Sequence, residues 1–299
     1  MPIRLWQMSL MPIGWCNKVA KILLGKPVAD AIYSDIDSRV NKLCEKGISP
    51  CLCLVRIGSD PASQSYENSL VKKAEEHGIV VKRFDYEELT QPQFEDLINK
   101  INDDDSIHGC LVFQPLPDFL DASVLQSTLD SGKDIDCITD TNSAKIYSNS
   151  DCVFVPATAQ SCLEILDYYG FDVTGKNVVI AGRSLVVGRP LSMLLLHRHA
   201  TVTITHSKTE NLEKTMKDAD IVVLATGRAN AFTPEFFSEG QVVIDVATNV
   251  GADGKLTGDA DFESVEPIVG AITPVPRGVG SVTTSVMLKF VCCAAERCV

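Results

Sequence analysis

From Gly25 onward the apolar positions switch between two spacings, and each switch marks an element. Val28, Ile32, Ile36, Val40 and Leu43 recur every three or four residues and stop before Gly47, which predicts a helix. The run CLCLVRI (51–57) is apolar on both faces and predicts a buried strand. A helix follows over about Ser63–His77, stopped by Gly78, and VVKRFDY (80–86) is the next strand. Thr90-Gln-Pro-Gln93 has the form of a capping box, with Phe94, Leu97, Ile98 and Ile101 on one face of the helix it opens. HGCLVF (108–113) is again a strand. The second half repeats the alternation. NVVIAG (177–182), ATVTITH (200–206), DIVVLAT (220–226) and QVVIDVA (241–247) read as strands. Arg189-Pro190 opens a helix, a second helix runs through the low 210s, and a last one covers about 280–296. Short apolar strands separated by helices imply parallel sheets with right-handed crossovers. The prediction is an α/β protein of two domains with a cleft between them.

Composition fits that picture. A chain of 299 residues is long enough for two cores, and 45% hydrophobic with 22% charged residues is ordinary for a globular protein. A net charge of −12 argues against nucleic acid as a partner, since no bulk attraction to phosphate is available. Of eleven cysteines none forms a CxxC pair or has metal-ligand spacing, so they read as reduced core thiols, and no metal is expected. Reduced thiols imply a reducing, cytoplasmic setting. The apolar stretch from Val286 is short and interrupted by Lys289, so no membrane span is expected. The first seventeen residues, MPIRLWQMSLMPIGWCN, carry one charge and two tryptophans and read as an N-terminal extension.

Chemistry first shows at Gly182-Arg-Ser-Leu-Val-Val-Gly188-Arg-Pro190, between a strand and a helix. It is neither GxGxxG nor a P-loop, and an ordinary βα turn can carry the same glycines. Its physics nonetheless suits a dinucleotide phosphate: a tight turn delivers the chain to a helix N-terminus with free N–H groups. In an NAD site a carboxylate near the end of the next strand holds the ribose 2′-OH. Here that strand ends in Ser207-Lys208-Thr209, with the first carboxylate at Glu210. Hydroxyls and a lysine, with Arg183 nearby, favour a 2′-phosphate and therefore NADP.

With these motifs in order, the sequence resembles the bifunctional 5,10-methylenetetrahydrofolate dehydrogenase/methenyltetrahydrofolate cyclohydrolase family. The resemblance is carried by DPASQSY (60–66), HGCLVFQPLP (108–117), KDID (133–136), GRSLVVGRP, ATVTITHSKT, ADIVVLATG, VVIDVATN and ITPVPRGVGSVT. It implies a folate-binding domain over 18–157 completed by the helix at 283–299, a Rossmann-like NADP-binding domain over 158–282, and a homodimer. It also implies roles. Gly182, Arg183, Ser184, Gly188 and Ser207 would hold NADP, with Arg183 and Ser207 at the 2′-phosphate. Tyr66 would pack on the tetrahydrofolate ring system and Asp136 would bond its pterin. Pro274, Pro276 and Gly278 would line the cleft. Asp134, two positions from Asp136, points away in an extended segment and is given no role.

The sequence departs from the family on the folate side. The family usually reads Tyr-x-x-x-Lys, the lysine being central to cyclohydrolysis. Counting from Tyr66, this chain has Leu70 there. The family's glutamine, which bonds that lysine, is replaced by Phe113. Cys137 and Arg277 stand at family glycines, and Ser281 at a proline. Helical spacing puts Tyr66, Leu70, Lys73 and His77 on one face and Lys72 on the far side, so the long stem of Lys73, one turn beyond Leu70, is the one able to reach back, the alternative being that both lysines are simply solvated. Hydride transfer needs alignment above all. Attack of water on the methenyl carbon benefits from an ionisable group, worth about 10²–10⁴-fold. The expectation is a dehydrogenase with weak or lost cyclohydrolase activity. The alternative is an NADP-binding regulatory homologue that no longer turns over folate.

Overall fold

The structure, a computed structural model, describes residues 20–150, 154–251 and 254–298. The N-terminal extension lies outside these residues. Elements run β1 (Lys21–Ile22), α1 (Gly25–Glu45), β2 (Cys51–Ile57), α2 (Pro61–Glu76), β3 (Val80–Tyr86), α3 (Gln91–Asp103), β4 (Gly109–Val112), α4 (Ala122–Thr128), α5 (Asp140–Ser148) and α6 (Ala157–Tyr169). There follow β5 (Asn177–Ala181), α7 (Gly188–His197), β6 (Thr201–Thr205), α8 (Leu212–Lys217), β7 (Ile221–Leu224), β8 (Val242–Asp245), β9 (Asn249–Val250), β10 (Leu256–Thr257), α9 (Phe262–Val265), β11 (Ala271–Ile272) and α10 (Thr283–Glu296).

Two parallel sheets organise these elements. The first has the order β3-β2-β4. Its central strand β2 is apolar on both faces because helices cover both. On one side Cys51, Cys53 and Val55 meet the apolar stripe of α3, Phe94, Leu97, Ile98 and Ile101. The predicted capping box holds α3 at its start, with the Thr90 N–H donating to Gln93 Oε1 at 2.9 Å. The other face belongs to a larger core that includes Leu52, Leu54, the inner residues of α1 and those of α10.

The second sheet is six-stranded, β1-β11-β8-β7-β5-β6, and every pairing is parallel. Without β1, its order counted from β5 is 2-1-3-4-5, a doubly wound arrangement. Lys21–Ile22 crosses from the N-terminal segment to pair with β11 here, so the chain is stitched into the second sheet before it builds the first.

The helix α10 packs on α1, α6 and α2 and on strands β2 and β4, returning the C-terminus to the first unit. The sequence alone placed this run short of a membrane span. With the 3-10 turn before it, Val279–Glu296 does reach the length and apolarity of a span, at mean hydropathy 1.3. Its apolarity has a simpler cause, because 61% of the segment is buried inside the protein. Lys289, which interrupts the run, is matched by Glu164 of α6 at 3.4 Å.

Candidate functional site

Ligands of doubly wound sheets sit outside the carboxyl ends of the strands, where the strand order reverses. In the large sheet that point lies between β5 and β7. β5 runs into Gly182, whose φ of +123° is open only to glycine in practice. A Cβ there would stand 2.2 Å from the Ala225 carbonyl oxygen at the end of β7. A Cβ on Gly188 would stand 2.1 Å from the Gly182 carbonyl oxygen. Both glycines are therefore required by close backbone approach. Ser184 shapes the loop between them: its Oγ accepts the Val187 N–H at 3.1 Å and its carbonyl oxygen the Arg189 N–H at 3.1 Å. α7 then starts at Gly188 with no side-chain cap; the Arg189 N–H is taken by Ser184, Pro190 has none and the Leu191 N–H bonds Val187, so the turn offers an anion the Gly188 N–H and the positive end of the helix dipole. Arg183, Ser184 and Ser207 are exposed at the ends of β5 and β6. His206 closes a small turn after β6 by donating its N–H to Thr209 Oγ1 at 2.9 Å. A cradle of glycines, an uncapped helix N-terminus and an exposed arginine and serine, with no carboxylate at the end of β6, fit a dinucleotide carrying a 2′-phosphate.

The small sheet has its own reversal point between β2 and β4. A cavity of about 360 Å³ opens there, lined by Arg56, Ile57, Asp60, Ser63, Phe113 and Pro115. Asp60 caps α2, accepting the Ser63 N–H at 2.8 Å. In the second turn of α2 lies Tyr66, 38% exposed, with its ring edge-on to Phe113 at 6.2 Å between centroids. Burial of the phenol raises its pKa, the side chain of Thr284 on α10 lowers it by a hydrogen bond, and the Asp136 charge raises it. Tyr66, Phe113, Asp136 and Thr284 thus come from four separate segments to one place. The Asp136 carboxyl is pushed up to about 7 by burial and by the charge of Asp134. Asp134, fully buried, accepts from the Ile138 N–H at 2.9 Å, the Thr139 N–H and hydroxyl, and the Asn142 amide. It holds the loop that presents Asp136.

Leu70 is 0% exposed and belongs to the larger core. The helical spacing put Tyr66, Leu70, Lys73 and His77 on one face. The face turned to the protein is instead Glu67, Leu70 and Ala74, with Tyr66 at its margin. Lys73 does not reach back to Leu70; its Nζ lies 2.7 Å from Glu76 and 5.6 Å from the centre of the Tyr33 ring. Glu67 went unnoticed in the sequence. Fully buried, it accepts from Arg56 Nε and from Arg83 Nε, each at 2.7 Å, and so ties α2 to β2 and β3. Thr284 also went unnoticed, because a threonine in a helical run carries no signal until the fold brings it to Tyr66.

A loop leads from the end of β11 in the large sheet to α10, which packs on the small one. Thr273 follows β11, and its hydroxyl accepts the Asp245 N–H at the end of β8 at 2.7 Å. The loop continues through Pro274, which is buried, Pro276 and Arg277, which are exposed, and Gly278, which is buried. The Arg277 carbonyl oxygen accepts the Gly25 N–H at 2.8 Å, and the chain then enters α10 and Thr284.

A nucleotide-type sheet with a phosphate turn, joined by a short loop to a second crevice that presents a tyrosine and a carboxyl, defines the class: an α/β dehydrogenase with a substrate unit. Comparison with known proteins makes the assignment specific. Residues 23–136 match the catalytic domain of tetrahydrofolate dehydrogenase/cyclohydrolase, and residues 156–299 match its NAD(P)-binding domain. A bifunctional protein FolD of Clostridium botulinum is 46% identical over 280 residues, covering 93% of this chain and 99% of that protein. The bifunctional FolD of Campylobacter jejuni superposes with a TM-score of 0.90 at 36% identity, covering 94% of this chain and 100% of that one. The FolD of Trypanosoma brucei, solved with NADP cofactor and inhibitor, gives 0.87 at 31%, covering 94% and 99%. The chain belongs to the tetrahydrofolate dehydrogenase/cyclohydrolase family.

Proposed function

We propose that this protein oxidises 5,10-methylenetetrahydrofolate to the 5,10-methenyl form with NADP, and that cyclohydrolysis to 10-formyltetrahydrofolate is weak or lost. NADP, when bound, accepts the hydride at its nicotinamide ring. The protein's part is alignment, which carries much of the rate of such a transfer. Gly182, Ser184 and Gly188 hold the cofactor's phosphates, and Arg183 with Ser207 holds its 2′-phosphate. Tyr66 packs on the folate rings and Asp136 accepts from the pterin. Pro274, Pro276 and Gly278 line the passage between the two ligands. A C–H bond of the one-carbon bridge breaks, both electrons leave with the hydrogen, and the folate nitrogens share the resulting positive charge.

The observation that carries the second half of the proposal is Leu70. It fills the family's lysine position with a side chain 0% exposed in apolar core. Phe113 fills the glutamine position and packs its ring on Tyr66. Neither residue can bind or release a proton. Added methenyltetrahydrofolate, without NADP, is expected to decay no faster with the protein than in buffer. Rapid protein-dependent hydrolysis overturns the reading. The assembly proposed with this activity is a homodimer, expected to sediment at twice the 32.5 kDa chain mass, whereas a monomer mass contradicts it.

A further inference from the structure

We infer that Asp259 is a positioning residue for the cofactor, setting the loop after β7 against the phosphate turn. The inference rests on the proposal that Gly182–Gly188 holds NADP. Asp259 is 0% exposed, and it lies in the loop between β10 and α9. Its carboxylate takes four hydrogen bonds. Oδ2 accepts from the Thr226 N–H at 2.6 Å and the Thr226 hydroxyl at 2.8 Å, and Oδ1 accepts from the Arg228 N–H at 2.7 Å and the Asn249 amide at 3.1 Å. Three of the four come from one stretch, Thr226–Arg228, at the carboxyl end of β7.

That stretch adjoins Ala225, whose carbonyl oxygen occupies the space a Cβ on Gly182 would need. A shift of the Thr226–Arg228 loop therefore moves the wall against which the phosphate turn is folded. Asp259 is itself fixed. Its N–H donates to Asp245 Oδ1 at 3.2 Å, and the Ala260 N–H donates to Asp245 Oδ2 at 2.8 Å. The carboxyl ends of β7 and β8 are thereby locked together by two buried carboxyl groups. Backbone N–H groups in a loop have no partner from helix or sheet. Without Asp259 the part-buried donors of Thr226 and Arg228 lose the acceptor that fixes them, and the loop is free to shift toward water.

The test is a titration of the full chain with NADPH, followed by fluorescence, beside a titration with a folate analogue. Asp259→Ala is expected to weaken NADPH binding about 10- to 100-fold. Folate-analogue affinity should stay within about twofold, since the groups that meet the folate lie on other elements. Asp259→Asn keeps one acceptor oxygen and is expected to fall between wild type and alanine. If the alanine variant does not fold, Thr226→Val removes only the hydroxyl bond and should weaken NADPH about 3- to 10-fold. A role confined to stability lowers the melting temperature and leaves NADPH affinity of the folded protein unchanged, or lowers both affinities alike. Either result overturns the inference. Arg183→Ala separates the two levels. If it weakens NADPH while Asp259→Ala and Thr226→Val do not, the positioning role fails and the cofactor site stands. If Arg183→Ala has no effect, the site reading fails and this inference falls with it.

Discussion

Asp136 has a carboxyl raised from 3.8 to about 7 by burial and by the Asp134 charge. A carboxyl whose folded value lies above its unfolded one takes up protons on folding between the two values. Its contribution to stability is then fullest below about pH 4 and declines as pH rises toward about 7. Asp245, also raised to about 7 chiefly by burial, acts in the same sense. Asp136→Asn is therefore expected to make the urea midpoint fall less between pH 5 and pH 7.5 than in wild type, on the order of one titrating group's share. An unchanged slope contradicts the assignment. A second residue-scale feature is Arg277, which has a φ of +83° at a position where the family pattern has glycine. A side chain in this region costs about 1 kcal/mol. Arg277→Gly is expected to raise unfolding free energy by up to that amount, and a clear loss of stability in denaturant titration would contradict it. Cys137, the other departure from a family glycine, also has a positive φ, of 56°.

At the scale of elements, α2 matters most, because it carries Tyr66 on its margin and Leu70 on its inner face. Its register is set by Glu67 between Arg56 and Arg83. Arg56 is bound further by Asp85 at 3.0 Å and by the Gly58 carbonyl oxygen at 2.8 Å, so the cation cannot follow a helix that shifts. Glu67→Ala leaves a largely buried arginine without its main partner. The expected loss is about 3 kcal/mol, at the low end for a buried pair because Arg83 reaches solvent. The same variant should raise the KM for methylenetetrahydrofolate more than that for NADP. A loss below about 1 kcal/mol would mean that the helix is held by apolar packing alone. Elements of this kind were legible in outline. The runs 51–57 and 80–86 have the bounds of β2 and β3, and the capping box at Thr90 forms as spelled. Two-residue β1 and the short α4 and α5 left no signal, since a period needs several turns to show. α6 passed unread although Ala159, Cys162, Leu163 and Leu166 on its buried face do have the helical spacing.

At the scale of the whole molecule, parallel α/β architecture followed from the alternation of spacings. The strand order did not, because order depends on crossovers that contact only in three dimensions. The motif positions were readable one by one. What the sequence hid was how they are braced: Asp134, Asp245 and Asp259 carry no signal of their own there, yet each is buried and its carboxylate takes several hydrogen bonds. The loop from Thr273 to Thr284 starts beside β8 and ends at Tyr66, and the turn from β1 into α1 makes another link between the two sheets. The proposal that hydride transfer survives while water attack is lost depends on Phe113 in the lining of the small sheet's cavity and on Leu70 in the apolar core under α2, neither of which can take up a proton. The most direct test supplies methylenetetrahydrofolate and NADP to the protein and follows NADPH and the methenyl product together. The two are expected to rise in equal amounts, with methenyltetrahydrofolate then disappearing only at its rate in buffer. NADPH formed without accumulation of the methenyl product, and 10-formyltetrahydrofolate in its place, would contradict the account.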